Sequence, residues 1–194
     1  MGSALFELDT IKNLPLWAQV LMASRMVRRA VLWLPMDVPE SGPRILIAGC
    51  DGMDRCAKAG QNLGSEKEVI ARAKRFQPST VTHAAAVAMG WAADATLAAE
   101  ASLDFGAAET ACVNSAHQAM AHAMESPGLT PLQVRTYMAG DLDLLRFACG
   151  EAKVGRYDGL GEAVFGRLLP IYPPEPRDRA TQSFAEPDPT GGAR

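Results

Sequence analysis

Residues 83–123 read HAAAVAMGWAADATLAAEASLDFGAAETACVNSAHQAMAHA, and alanine dominates this stretch. Alanine is the best helix former, whereas the β-branched and aromatic residues that favour strands never gather into alternating runs in this chain. A break at Phe105-Gly106 divides the stretch into two predicted helices, one from Ser79 or Thr80 to Asp104 and one from Ala107 to Glu125. The pattern therefore predicts an antiparallel helical hairpin that packs closely through small side chains.

The predicted hairpin carries acidic residues without basic neighbours, since no lysine or arginine occurs between Arg75 and Arg135. A surface helix normally mixes both signs of charge, so we expect other helices to shield the hairpin. Its uncharged runs depend on alanine and are shorter than the ~20 apolar residues of a membrane span. The predicted fold is all-α: a single-domain helical bundle around a central alanine-rich antiparallel hairpin.

Caps and apolar periodicity predict further helices on both sides of the hairpin. The first runs from about Pro15 to Leu34, with one buried stripe that leaves Arg25, Arg28 and Arg29 at its solvated margins. Capping boxes at Ser65–Glu68 and Thr130–Gln133 predict helices to about Phe76 and about Cys149, the second closed by Gly150. A last helix is predicted from about Asp158 to Leu169. The chain thus divides into a helical domain, residues 1–169, and a proline-rich extended or disordered tail, residues 170–194.

The segment RILIAGCDGMDRCAKAG, residues 44–60, fits two structures. As a strand and turn leading into a helix, it would resemble the start of a βα nucleotide-binding unit. As a helix begun by Pro43, it places Gly49, Gly52 and Cys56 in a seam of small residues that another helix can approach. The helix is favoured because no further strands follow to complete a parallel sheet and the glycines do not fit G-x-G-x-x-G.

Composition limits the partners and the compartment. The chain has 194 residues and a formal net charge of −3, so it has no basic surplus to attract nucleic acid. Cys50, Cys56, Cys112 and Cys149 form no close pair, which favours buried reduced thiols over disulfides or a zinc site. The first residues lack the positive region of a signal peptide. We therefore expect a cytoplasmic protein with no cofactor and no nucleic-acid or membrane partner.

The hairpin also holds a candidate catalytic or metal site. In an antiparallel hairpin, two residues face each other when they are equally far from the turn along the chain. With the turn at Phe105-Gly106, the numbers of two facing residues add up to about 211, which places Asp94 near His117. A carboxylate raises the basicity of an imidazole and fixes its tautomer, so the pair suits a general base or a metal ligand. The alternative is a histidine that is satisfied in the core or exposed.

The second functional hypothesis is accordingly a metal-dependent or acid–base enzyme. Its catalytic residues would be Asp94, His117 and Glu100, and its metal ligands would be His117, His122 and Glu109. Because a buried carboxylate needs a partner, we expect Arg28, Arg29, Arg44 and Arg55 to serve the hairpin acids in part. Asp94, in the middle of an alanine-rich helix, is the carboxylate that we expect to be most enclosed. An exposed carboxylate would need no such partner.

The leading hypothesis is a non-catalytic helical protein that binds another protein, since no nucleophile and base stand out together in the sequence. Four acids predicted on exposed faces are the expected partner-binding residues: Asp51, Asp54, Glu66 and Glu68. Complementary fields raise association rates and select partners, so a basic protein partner is expected.

Four features in chain order carry a resemblance to a protein family. A first helix ends in Leu34-Pro35, Gly42-Pro43-Arg44 begins the helix with RILIAGCDGMDRCAKAG, the alanine-rich hairpin follows, and the core closes with RLLPIYPPEP. In this order, from about Pro15 to Pro176, the chain resembles the alanine-rich, all-helical immunity proteins of bacterial toxin–immunity systems. The resemblance implies a non-catalytic protein that binds and neutralises a cognate toxin.

Overall fold

The computed structural model describes residues 8–32, 41–76, 83–100, 105–125 and 130–171, and these ranges contain helices and no strand. Within them, a 3-10 helix at Leu8–Asn13 precedes seven α-helices. They are α1 (Leu16–Leu32), α2 (Ser41–Ala59), α3 (Gly64–Lys74), α4 (His83–Glu100), α5 (Phe105–Glu125), α6 (Pro131–Glu151) and α7 (Gly161–Phe165). The helices share one hydrophobic core, so the predicted all-α single-domain bundle is confirmed. None of the described helices is long and apolar enough to cross a bilayer.

The helices α4 and α5 form the predicted hairpin and have the most extensive mutual contact in the bundle. Alanines on both helices are fully buried, among them Ala88 and Ala116. The Ser115 hydroxyl donates a hydrogen bond to the Ala88 carbonyl oxygen at 2.8 Å, which joins the main chain of α4 to α5. Small side chains allow this close approach. The connection between the two helices, residues 101–104, lies outside the described residues.

Helix α1 is enclosed on all sides, because every residue from Leu16 to Val27 is buried. It contacts α2, α4, α5 and α6, and so lies between the hairpin and the other helices. The prediction of one buried stripe with Arg25 at a solvated margin is wrong, since Arg25 is only 6% exposed. A helix with neighbours on four sides must bury its polar face as well, and those polar groups then need partners inside the protein.

Helix α2 decides between the two structures considered for residues 44–60, and the helical one is confirmed. Gly49 shows why small residues occur there: a Cβ at this position would lie 2.5 Å from the Ala73 Cβ and 2.7 Å from the Met89 Cε. Those distances are shorter than van der Waals contact, so only glycine fits between α2, α3 and α4.

The two predicted capping boxes have different outcomes. At α6, Thr130 accepts from the Gln133 N–H at 3.2 Å, and the Gln133 side chain accepts from the Thr130 N–H at 2.9 Å, which confirms the box. At α3, the helix begins one residue earlier, at Gly64, and the Ser65 hydroxyl instead donates to the Glu66 carboxylate at 3.3 Å. That box is absent because Ser65 already lies inside the helix and cannot cap it.

The last described segment departs furthest from the predicted boundaries. Helix α6 runs through Gly150 to Glu151, and the left-handed closing residue is Lys153, with φ 52°. Helix α7 has five residues, where a longer helix was predicted from Asp158. The residues before it are held in a loop, since the Leu160 N–H donates to the Ala57 carbonyl oxygen of α2 at 3.1 Å. Of the predicted tail, residues 172–194 lie outside the described residues.

Candidate functional site

The predicted pair of Asp94 and His117 does not form. Ser115 of α5 contacts Ala88 of α4, so the numbers of facing residues add up to about 203 in the structure, whereas the predicted register required about 211. The Asp94 carboxylate pairs with the Lys74 ammonium of α3, and the His117 side chain is exposed. The prediction fails because α4 ends at Glu100 and α5 already begins at Phe105, so the register of α5 against α4 differs from the predicted one.

The other members of the hypothetical enzyme site are also separated. Arg156 lies 2.8 Å from the Glu109 carboxylate, which therefore acts as an ion-pair partner between α5 and the loop before α7. Glu109 and His117 are about 12 Å apart along α5. The side chains of Glu100 and His122 lie outside the described part of the structure. Among the side chains that are described, no three His, Cys, Asp or Glu residues gather as a group that could hold a metal ion.

A buried charged cluster joins α1 to α6 at Asp141, which is 3% exposed. The Arg25 Nη2 lies 2.6 Å from Asp141 Oδ1, and the Arg29 Nε lies 2.5 Å from Oδ2. Arg25 also donates to the Leu169 carbonyl oxygen at 3.0 Å, which ties the segment after α7 to the same cluster. Two guanidinium groups on one carboxylate fix the position of α6 against α1.

Asp141 was not among the predicted residues, although the sequence of α6 contains its signal. The buried residues of α6 include Val134, Met138 and Leu145, and Asp141 lies among them at helical spacing. An acid inside an apolar stripe must find a partner when the helix packs, because an unpaired buried charge costs several kcal/mol. The same reasoning fails for Asp94, since its alanine neighbours surround α4 and do not mark one buried side.

A second group of ion pairs joins α1 to α2 through Arg28. Its guanidinium lies 2.7 Å from Asp54 Oδ2 and 2.9 Å from Asp51 Oδ1, and the Ser24 hydroxyl donates to Asp54 Oδ1 at 2.5 Å. Burial raises the pKa of Asp54 above its ordinary value, while Arg28 and Ser24 act in the opposite direction. These contacts use Arg28 to fasten two helices.

The predicted arginine partners therefore serve other carboxylates than those of the hairpin. Arg28 pairs with acids of α2, Arg29 with Asp141 of α6, and Arg55 with Glu66 of α3. Arg44 is exposed on α2. The cations that reach the hairpin are Lys74, on Asp94, and Arg156, on Glu109. Sequence reasoning could not choose among the arginines because the choice depends on which helices become neighbours.

The four acids predicted to bind a partner all lie on α2 and α3, and each is near a cation of this chain. Glu66 is buried, contrary to expectation, because Gly52 leaves room for it against α2, where a Cβ would lie 3.3 Å from the Glu66 Oε2. Arg55 lies 2.6 Å from the same oxygen and lowers the pKa of Glu66. The Glu68 side chain is 83% exposed, with Arg75 at 3.3 Å. Partner binding by these acids stays a prediction.

A groove of about 410 Å³ lies where the start of α1 meets the end of α6. Its charged lining residues are Arg146, Lys153 and Arg156, and no acid lines it among the residues that the structure describes. A second groove, of about 340 Å³, is lined by two arginines and two aspartates, Arg25, Arg28, Asp51 and Asp54. Arg28 pairs with both of these aspartates, whereas Arg25 pairs with Asp141. The first groove is thus the cationic one, whereas the second is electrically balanced.

The outer face of α6, defined by Leu132, Gly140 and Phe147, carries two large exposed apolar side chains, with the polar side chains of Thr136 and Asp143 between them. Leu132 is 71% exposed and Phe147 60% exposed. A side chain at Gly140 would meet nothing within 4 Å, although glycine in an exposed helix costs about 1 kcal/mol relative to alanine. Gly140 lies about 10–12 Å along α6 from both Leu132 and Phe147, and its lack of a side chain leaves room for another helix to approach.

All four cysteines are free and buried, which confirms the prediction of buried thiols. Burial raises the pKa of Cys50 to about 12 and that of Cys149 to about 11, and it raises the pKa of Cys112 still further. A thiol that stays protonated at neutral pH is a poor nucleophile and a poor metal ligand. The cysteines are therefore packing residues of the core.

No protein-family model matches this chain, and no curated protein or solved structure was found to match it.

Proposed function

We propose that this protein is a non-catalytic helical binding protein whose partner is another protein, held at the outer face of α6. The observation that carries the proposal is the joint exposure of Leu132 and Phe147 on one side of a peripheral helix. Burying such a side chain in an interface is worth about 1.5–3 kcal/mol, and large apolar side chains are the usual anchors of a complex.

The partner that fits this face best is an amphipathic helix. Leu132 and Phe147 are fifteen positions apart, which corresponds to about 22 Å along α6, or roughly four turns of a facing helix. Gly140 lies between them, where the lack of a side chain lets a second helix approach. Arg146 and Asp143 flank Phe147, so polar contacts of either sign are available at the rim.

Neutralisation of a cognate toxin is the biological role that we propose for this binding, in line with the resemblance to immunity proteins. The distribution of charge supports a binding role over a catalytic one, because Asp141, Asp54 and Glu66 each pair with arginines that hold neighbouring helices together. We further propose that the protein acts in the cytoplasm, since four buried free thiols suit a reducing compartment.

Site-specific photo-crosslinking in the native cell tests the proposal. A photoreactive residue in place of Phe147 should capture one protein, and Leu132→Glu in the same chain should abolish the capture. The same residue in place of Glu68, which is highly exposed on the predicted acidic surface, is the matched control and should capture nothing. Capture only from position 68 would move the interface to α3. Capture from neither position would overturn the proposal.

A further inference from the structure

The cationic groove between the start of α1 and the end of α6 has the composition of a binding site for an anion. Arg146, Lys153 and Arg156 line it, together with apolar walls from Leu14, Pro15 and Val154. Like charges that face one groove repel each other, and an anion placed among them relieves this repulsion. A volume of about 410 Å³ falls in the range of sites for small ligands.

The carboxylates near this groove leave one of the three cations without an ion-pair partner. Glu109 lies 2.8 Å from Arg156, and Asp143 reaches Arg146 at 3.5 Å. Lys153 is exposed, and none of the carboxylates that the structure describes pairs with it. The groove therefore keeps a net positive charge within the described residues.

Lys153 also occupies a backbone position that is normally given to glycine. Its N–H donates to the Gly150 carbonyl oxygen at 3.1 Å, and the Val154 N–H donates to the Cys149 carbonyl oxygen at 3.0 Å. These two bonds form a Schellman motif with Lys153, at φ 52°, as the left-handed residue. Glycine adopts this conformation without strain, so a lysine there lowers stability. The same lysine is one of the residues that line the groove.

We propose that the groove binds a small organic oxyanion, a molecule that carries a phosphate or a carboxylate group on an apolar body. Lys153 and Arg146 bind the anionic group, Arg156 exchanges part of its contact with Glu109 for the ligand, and Leu14 with Val154 contacts the apolar body. The groove lies beside the proposed partner interface and shares Arg146 with its rim, but neither Leu132 nor Phe147 lines the groove.

Calorimetric titration with inorganic phosphate and with citrate, at ionic strength matched by sodium chloride, tests this site in the full chain. Both ions should bind the wild type with a Kd below about 1 mM, and binding should weaken as salt is raised. Lys153→Gly should bind at least about tenfold more weakly, since one charged hydrogen bond is lost. Its Tm without ligand should rise by about 2–4 °C, because the strain at position 153 is relieved.

This opposite movement of Tm and affinity separates a ligand site from a purely structural lysine. Arg75→Gln removes an exposed cation far from the groove residues in sequence and is the control that should keep full affinity. Leu132→Glu should also keep full affinity, which distinguishes this site from the α6 interface. Equal affinity in the wild type and Lys153→Gly, or no binding by the wild type, would overturn the proposal.

Discussion

The two halves of the bundle hold their helices together by different means. Between α1, α2 and α6, ion pairs centred on Asp141 and Arg28 join the helices in addition to the apolar core. Between α4 and α5, the contacts are alanines in close packing, with the Ser115 hydroxyl on the Ala88 carbonyl. Ion pairs depend on each partner being present, whereas close packing depends on volume. The two halves should therefore fail under different kinds of mutation.

The largest effect is expected at Asp141. Its replacement by alanine leaves Arg25 and Arg29 buried beside each other without a counter-charge, which should lower the free energy of unfolding by about 3–5 kcal/mol. Urea denaturation of the purified variant measures this. Asp143→Ala, two positions away and highly exposed, is the control and should change stability by less than about 0.5 kcal/mol. A loss below about 1 kcal/mol at Asp141 would contradict the importance of the buried pair.

In the hairpin, a larger side chain at a buried alanine should destabilise the protein, as the loss of a buried charge does between α1 and α6. Ala116 is fully buried, so Ala116→Leu should lower the free energy of unfolding by about 1–3 kcal/mol through overpacking. Ala121→Leu places the same side chain on the exposed face of α5 and should be close to neutral. Thermal unfolding followed by circular dichroism compares the two variants. Equal stability of both would show that the hairpin seam can expand freely.

A smaller effect concerns Asp54 and Glu66, whose contributions to stability should change with pH in opposite directions. The pKa of Asp54 is raised, so its stabilising contribution is present below its ordinary value and is lost as the pH rises through the raised pKa. The pKa of Glu66 is lowered, so its contribution is present above its ordinary value and is lost as the pH falls through the lowered pKa.

In the wild type, ionisation of Asp54 should lower the free energy of unfolding as the pH rises above about 4, and Asp54→Asn should lack this decrease. Protonation of Glu66 should lower the free energy of unfolding as the pH falls below about 4.5, and Glu66→Gln should lack that decrease. Urea midpoints measured from about pH 3 to pH 7 give both slopes. Changes of the same sign in the two variants would contradict the assigned directions.

The smallest effect is expected at Asp94, the acid that the sequence suggested as the most enclosed. Its carboxylate and the Lys74 ammonium are both about half exposed, and surface ion pairs contribute little. Asp94→Ala should change the free energy of unfolding by less than about 0.5 kcal/mol, measured under the same conditions as Asp141→Ala. A loss as large as that at Asp141 would place a buried charge in the hairpin after all.

The helices themselves were predictable because local rules fix them. The alanine content of residues 83–123, the threonine cap with Pro131 at α6 and the small-residue spacing around Gly49 all indicated helices that the structure contains. The capping box predicted at Ser65 is absent because α3 begins at Gly64, with Leu63 as its N-cap, so Ser65 already lies inside the helix. The predicted end of α6 at Cys149 was wrong because the residue that adopts the left-handed conformation after the helix is Lys153, not Gly150.

The candidate sites could not be found in the same way. The register of α5 against α4 depends on where α4 ends and α5 begins, and a shift of a few residues separates His117 from Asp94. The partners of Arg28 and Arg29 lie on α2 and α6, which only the packing of three helices brings to α1.

The cationic groove also arises from packing, since Arg146, Lys153 and Arg156 line it together with Asn13 and Pro15 from the other end of the domain. The sequence by itself determined the helical class, most helix positions and the burial of the thiols, because these follow from local propensity and apolar periodicity. The tertiary structure decided which charges meet, because the energy of an ion pair depends on distance and burial between residues that are far apart along the chain.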